Sequence, residues 1–413
     1  MKKYLLLLVI CLLGKTGFSQ QAGDGIHFLE GEKWENILKM AQDQDKYIFM
    51  DCYTSWCGPC KALSKDIFTR KEVGDYFNAH FINVKYDMEK GVGIELRKQY
   101  QANIIGYPTL LLINKEGKVV HQMAGFQEAD ALIAGMKAGM EGKSLFAYRD
   151  RYNSGDRDLN FIKEYVTALN GAFLKDDIQQ IVVDYMNNIP LEKLKDKDVW
   201  ELVGGYVKDP YSPQFEYVVF NLDYFPAKLK VDRYKLEWQL NWALEKALDQ
   251  IVGLQKDKED NILPLLNEPD KMATLLKLID RANLKRAEEY RAKGKIHELE
   301  LAGQWNEVYN YLMVCRSIKA LGYSDRFLNE VIQYMAVNCK DQTLLKKCLT
   351  LVEEMQAKED QDKSRLKSSY YDTLALLYGK LGDSKKAKEY QLLDENLKKE
   401  NAKEFENFMK SVK

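Results

Sequence analysis

Long apolar runs are missing from this sequence beyond its first thirteen residues, and nothing later approaches the ~20 residues that a membrane-spanning helix needs. Stable insertion of the body of the chain into a membrane is therefore not expected. An excess of charge of one sign is missing too: 61 Lys and Arg stand against 62 Asp and Glu. Without such a field the chain has no means of gathering nucleic acid, and no nucleic-acid partner is expected. Histidine is scarce. The four, at 27, 80, 121 and 297, are scattered, and no second cysteine pair stands at ligand spacing, so neither a metal site nor a resident cofactor is expected. Low-complexity tracts are absent, and 46% hydrophobic residues in a chain of 413 are enough for at least two folded domains.

The first nineteen residues, "MKKYLLLLVICLLGKTGFS", join two lysines to an apolar run and end on small residues two apart, Gly17 and Ser19. This is the pattern of a secretory signal peptide (1–19), with cleavage expected after Ser19. Cys11 would then be lost, and a lipoprotein reading fails because Ile10 before it is not small. The expected location is outside the cytoplasm, in the periplasm for a Gram-negative bacterium, where disulfides persist.

Two regions follow with different patterning. Over 26–142, "YIFMDC", "FINVKYD", "PTLLLIN" and "VVHQMA" read as strands, and "EKWENILKMAQ", "CKALSKDIF", "GVGIELRKQY" and "EADALIAGMKAG" as helices. Alternating strands and helices predict an α/β layered domain, and the short "NKEGK" connection predicts a hairpin that makes the sheet mixed. Over 145–413 the pattern becomes helical throughout. The clearest unit, at about 366–400, resembles a tetratricopeptide-type hairpin: Leu374, Leu377, Tyr378 and Leu381 share one face, Gly382 and Asp383 break it, and Ala387 and Tyr390 begin the next. A stack of helical hairpins and an irregular helical bundle both fit the remainder.

The chemistry gathers at "DCYTSWCGPCK", where a strand runs into two cysteines separated by Gly58 and Pro59. Proline fits a first helical turn, so a helix begins beside Cys57. Unpaired backbone donors there favour the thiolate, which is the attacking species in disulfide exchange. Cys60, one turn later on the same face, is placed to close a disulfide and to act as the resolving thiol. Asp51 lies in a strand that reads as buried on both faces, where its pKa would rise into the range for taking the Cys60 proton; an edge-strand Asp turned to solvent is the alternative. Cys52 should point the opposite way, as a buried thiol. Pro108 reads either as a trans proline opening a strand or as a cis Tyr107-Pro108 bond that brings backbone beside the cysteines. Cys315, Cys339 and Cys348 fall at apolar helical positions, as buried thiols or as a possible pair.

Together "MDCYTSWCGPCK", the "GYPTLLL" some fifty residues later and the "GKVVHQMAGF" hairpin resemble the thioredoxin family. Within it, "DIFTRKEVGDYFNAHFINVKYDMEK" is similar to exported members such as the C-terminal domain of the membrane transporter that carries reducing equivalents to the periplasm. The resemblance implies a thioredoxin fold over 26–142 with Cys57 as nucleophile, Cys60 as resolving thiol and Asp51 as buried acid/base. It also implies a substrate groove shaped by Trp56, Gly58, Pro59, Tyr107 and cis Pro108. Where many relatives carry a lysine near the buried Asp, Asn83 is read as standing instead.

Two function classes follow. In one, the chain is an exported thiol-disulfide oxidoreductase, a reductase or isomerase, acting on disulfide- or thiol-containing exported proteins and re-reduced by a membrane thiol-disulfide donor, with the helical region choosing clients. In the other, the helical repeats are a protein-binding scaffold and the redox domain is structural or weakly active.

Overall fold

The computed structural model describes residues 25–282, 286–317, 325–362 and 367–411. The stretch read as a signal peptide lies outside the described residues, as do Cys11 and Ser19. Two compact units divide between Asn188 and Ile189.

In the first unit the order is β1 (Leu29–Glu30), α1 (Trp34–Gln44), β2 (Tyr47–Tyr53), α2 (Gly58–Ala62, running on as a π turn over Leu63–Ile67), α3 (Lys71–His80), β3 (Phe81–Asp87), α4 (Val92–Gln99), β4 (Thr109–Ile113), β5 (Val119–Ala124) and α5 (Ala129–Met140). Three further helices follow, α6 (Leu145–Asn153), α7 (Leu159–Gly171) and α8 (Lys175–Asn187). The five strands lie in the order β1-β3-β2-β4-β5; β1, β3 and β2 run parallel, and β4 and β5 antiparallel to their neighbours. A mixed sheet of this order with helices on both faces is the thioredoxin fold.

Strand alternation sorts the core into two layers. Ile48, Met50 and Cys52 of β2 pack with Ile37 and Ala41 of α1 and Leu96 of α4. Phe49 turns the other way, against Leu63, Ile67, Phe77, Leu132 and Met136. Asp51 is two residues on from Phe49 and so faces the α2 side. The Phe49 ring meets that of Phe77 edge-on at 4.6 Å and is fully buried. Phe49→Ala should lower the stability of this unit by about 3–5 kcal/mol, read as an earlier denaturant midpoint with an unchanged slope.

The first helix after the sheet domain is tied to it through His121 on β5. The Leu145 N–H donates to His121 Nδ1 at 3.1 Å, and burial pushes the His121 pKa down to about 4, so the ring stays neutral and able to accept. Ser144 caps α6, its Oγ accepting the Ala147 N–H at 3.1 Å. Strand patterning therefore ends near 124, whereas the compact unit continues through α8 to Asn188.

The second unit is helical: α9 (Lys197–Val203), α10 (Pro213–Phe220), α11 (Arg233–Val252), α12 (Pro269–Ala282), α13 (Ala287–Leu301), α14 (Trp305–Ser317), α15 (Asp325–Asn338), α16 (Gln342–Asp362), α17 (Lys367–Lys380) and α18 (Ser384–Ser411). Helices α17 and α18 pack as a helical hairpin, with Leu374, Leu377 and Tyr378 buried, Gly382 at φ 89° in the turn, and Gly379 close to Ala387. No helix among the described residues is long and apolar enough to cross a membrane.

Candidate active site

Strand β2 ends at Tyr53, and a short turn, in which the Cys57 N–H donates to the Thr54 carbonyl (3.2 Å), delivers the chain to α2. Cys57 is the N-cap residue, with Gly58 and Pro59 in the first helical turn. Its Sγ accepts the Cys60 backbone N–H at 3.1 Å, so one of the donors that a helix start leaves open is aimed at this sulfur. Cys57 and Cys60 are joined in a disulfide with their Cα atoms 5.3 Å apart, and both are buried. The chain thus carries the intramolecular redox pair of a thioredoxin-type enzyme.

Asp51 is fully buried, and neither carboxylate oxygen has a hydrogen-bond partner. Burial lifts its pKa to about 7, and the nearby Lys85 ammonium opposes part of the rise. Lys85 Nζ stands 3.9 Å from Asp51 Oδ2, donates to Ser64 Oγ at 2.6 Å and lies 4.9 Å from the centre of the Tyr53 ring. This corrects the reading that put Asn83 in the lysine position. In the parallel β2–β3 register Asp51 faces Lys85 while Asn83 faces Phe49. Asn83 is buried, and its Nδ2 donates to Asn78 Oδ1 at 3.2 Å.

The Tyr107-Pro108 bond is cis, and Pro108 is buried at the head of β4. Tyr107 brings its ring edge-on to that of Trp56 at 6.1 Å. Trp56 is 66% exposed, yet its indole N–H donates to the Glu89 carboxylate at 2.9 Å. Gly58 and Pro59 are exposed at the same end, and nothing lies within 4 Å of where a Gly58 Cβ would stand. The structure therefore brings Cys57, Cys60, Trp56, Gly58, Pro59, Tyr107 and Pro108 to one end of the sheet, with Asp51 in the strand that leads there. Sequence reasoning missed Lys85, Ser64 and Glu89. A lysine interrupting the apolar run "FINVKYD" was the available signal for the first.

Cys52 is buried on the other face of β2, and burial, reinforced by the Asp51 charge, holds its thiol well above the ordinary range. Cys315, Cys339 and Cys348 are buried. No group of three or more His, Cys, Asp or Glu among the described residues could hold a metal ion.

A thioredoxin-like domain family matches residues 34–139. A thioredoxin-like protein of Synechocystis sp. is 32% identical over 102 residues, covering 25% of this chain and 90% of the relative. The chain belongs to the thioredoxin-like family. At the level of that superfamily it is a thiol-disulfide oxidoreductase. The thiol:disulfide interchange protein DsbD of Actinobacillus pleuropneumoniae is 31% identical over 125 residues, but these make up only 21% of DsbD and 29% of this chain. A candidate disulphide-isomerase of Bacteroides thetaiotaomicron, solved in solution, is 50% identical and aligns over 29% of this chain and 96% of its own, with a TM-score of 0.27. These matches to family members cover under a third of the chain.

Proposed function

We propose that this protein is an exported protein disulfide reductase that exchanges disulfides through Cys57 and Cys60. The observation that carries the reading is the pair itself: a buried disulfide at a helix start, on the side of the sheet that holds a buried Asp51 whose carboxylate accepts no hydrogen bond. In the reduced enzyme the Cys57 thiolate attacks one sulfur of a client disulfide and the other client sulfur leaves as a thiolate. Asp51, as the carboxylate, then takes the Cys60 proton, and the Cys60 thiolate attacks Cys57 Sγ. This closes the Cys57–Cys60 disulfide and frees the second client thiol. Two electrons pass to the client, so a thiol-disulfide donor, in this reading a membrane protein, must reduce the pair again. Trp56, Gly58, Pro59, Tyr107 and Pro108 border the client segment.

The N-terminal "MKKYLLLLVICLLGKTGFS" supports export, and the likeness to DsbD is to a protein named for thiol:disulfide interchange. The α17–α18 hairpin is read as tetratricopeptide-like, and the helical unit as the part that chooses clients. Support for that choice is the row of Tyr234, Trp238 and Trp242, one helical turn apart and exposed along α11.

The test is the equilibrium reduction potential of the Cys57–Cys60 pair in the intact mature chain, against a thiol-disulfide buffer series. A value near −270 mV, roughly that of thioredoxin-type reductants, is expected from the Gly-Pro spacer. A value between about −180 and −120 mV assigns an isomerase or oxidant instead. The absence of any two-electron couple overturns the redox reading.

A further inference from the structure

Among the described residues of the first unit, five large apolar side chains are exposed: Trp56, Ile94, Ile105, Phe126 and Phe173. Scattered exposed apolar residues need no explanation, but four of these five are linked to the redox pair through neighbours in sequence or contact. Trp56 adjoins Cys57. Ile105 lies two residues before Tyr107, whose ring meets that of Trp56. Pro108 accepts, through its carbonyl, the Gly125 N–H at 2.8 Å, and Phe126 follows Gly125. Phe173 comes from elsewhere in the chain, the turn between α7 and α8, and its ring lies directly on Gly125.

Two backbone features hold Phe173 there. Gly125 has φ +74° and carries no side chain; a Cβ on it would stand 2.3 Å from the Phe173 ring, so the ring occupies space that only glycine leaves. Phe173 itself sits at φ 57°, in the left-handed region where the turn after a helix ordinarily takes Gly or Asn. Its N–H donates to the Asn170 carbonyl and the Leu174 N–H to the Leu169 carbonyl, both at 3.0 Å, which closes α7 in the usual way around an unusual residue. Glycine at 173 would make the same turn without strain. The phenyl ring is nevertheless kept, and it is 52% exposed. A strained backbone that holds an exposed aromatic ring on Gly125, whose N–H is bonded to the carbonyl of the cis proline, calls for a reason in what that ring touches.

We infer that Phe173 is a client-contacting residue supplied by the appended α7–α8 helices, forming with Phe126 and Ile105 an apolar wall at the cis-proline edge of the site. It receives an apolar side chain of an extended client segment next to the client cysteine. The occupant follows from continuity with the redox pair, since a client disulfide that reaches Cys57 must lay its flanking residues over this edge. The inference rests on the disulfide-exchange reading.

The test uses the intact mature protein and two synthetic peptides, each with one intramolecular disulfide, whose cysteine is flanked by Leu in one and by Ser in the other. The wild-type chain should reduce the Leu peptide with kcat/KM about five- to tenfold higher, mostly through KM. In Phe173→Gly this preference should collapse towards one, while the thermal midpoint stays level or rises because the backbone strain is relieved. Phe173→Tyr, which keeps the ring, should keep the preference. Equal use of both peptides by the wild type overturns the inference and leaves the redox reading standing. So does a preference that survives in Phe173→Gly, with or without a fall in midpoint. If the wild type reduces neither peptide, the redox reading itself falls and the wall goes with it.

Discussion

Cys60→Ala in the intact chain should accumulate covalent adducts between Cys57 and client proteins, visible as thiol-sensitive bands on non-reducing gels, while Cys57→Ala accumulates none. The asymmetry follows from the structure. Cys57 stands at the helix start, its sulfur facing the Cys60 N–H, and Cys60 lies one turn inside. Once Cys57 has formed the mixed disulfide, only Cys60 is positioned to displace the client, so its loss stops the reaction after one bond change. Catalytic turnover on any disulfide substrate should fall by about a thousandfold or more in either variant. Adducts from both variants alike, or from neither, would mean that the roles are not divided in this way. Adding Trp238→Ala to Cys60→Ala then reads the helical unit: a changed set of trapped clients supports selection by that unit, and an unchanged set opposes it.

Asp51→Asn should move stability and activity in opposite directions. The folded chain holds the Asp51 pKa near 7, whereas in the unfolded chain it is near 4. Between those values the folded state keeps a proton that the unfolded state has released, so stability falls as pH rises from about 4 to 7 and stays low above it. A shift of roughly three units corresponds to about 4 kcal/mol, and the unpaired buried amide of Asn returns ~1 kcal/mol of it. Asp51→Asn should therefore stabilise the first unit by about 3 kcal/mol at pH 8 and by little or nothing at pH 4, as read by denaturant titration at both pH values. Resolution of the mixed disulfide should slow by ten- to a hundredfold, roughly, above pH 7 and lose its rise through neutral pH. A gain in stability that is the same at both pH values would show that the carboxylate is not the titrating group.

Much of this site was legible because its parts are local. The helix start at Cys57 follows from Pro59 and the residues after it, and the burial of Asp51 from the apolar residues on both sides of it in one strand. The cis bond at Pro108 and the buried Cys52 also lie where the sequence pointed. What was not legible depends on long-range register. Lys85 reaches Asp51 only because β2 and β3 pair in parallel with those two residues opposite, and no local pattern specifies that register. Helix α3 went unread, and so did β1, whose two residues carry no periodicity. The meeting of Phe173 with Gly125 is tertiary throughout: a phenylalanine at a helix end reads as an ordinary loop residue until the glycine is found beneath it.

The cysteines outside the redox pair carry a practical consequence. Among the described residues the four others, Cys52, Cys315, Cys339 and Cys348, are all buried, and burial raises the thiols of Cys52 and Cys348 out of the reactive range. Among the described residues, labelling by a thiol reagent that rises on mild reduction of the folded chain is therefore expected to come from Cys57 and Cys60, the one pair joined in a disulfide. The folded chain can then serve as its own electrode: the rise in labelling on reduction reports the poise of the surroundings.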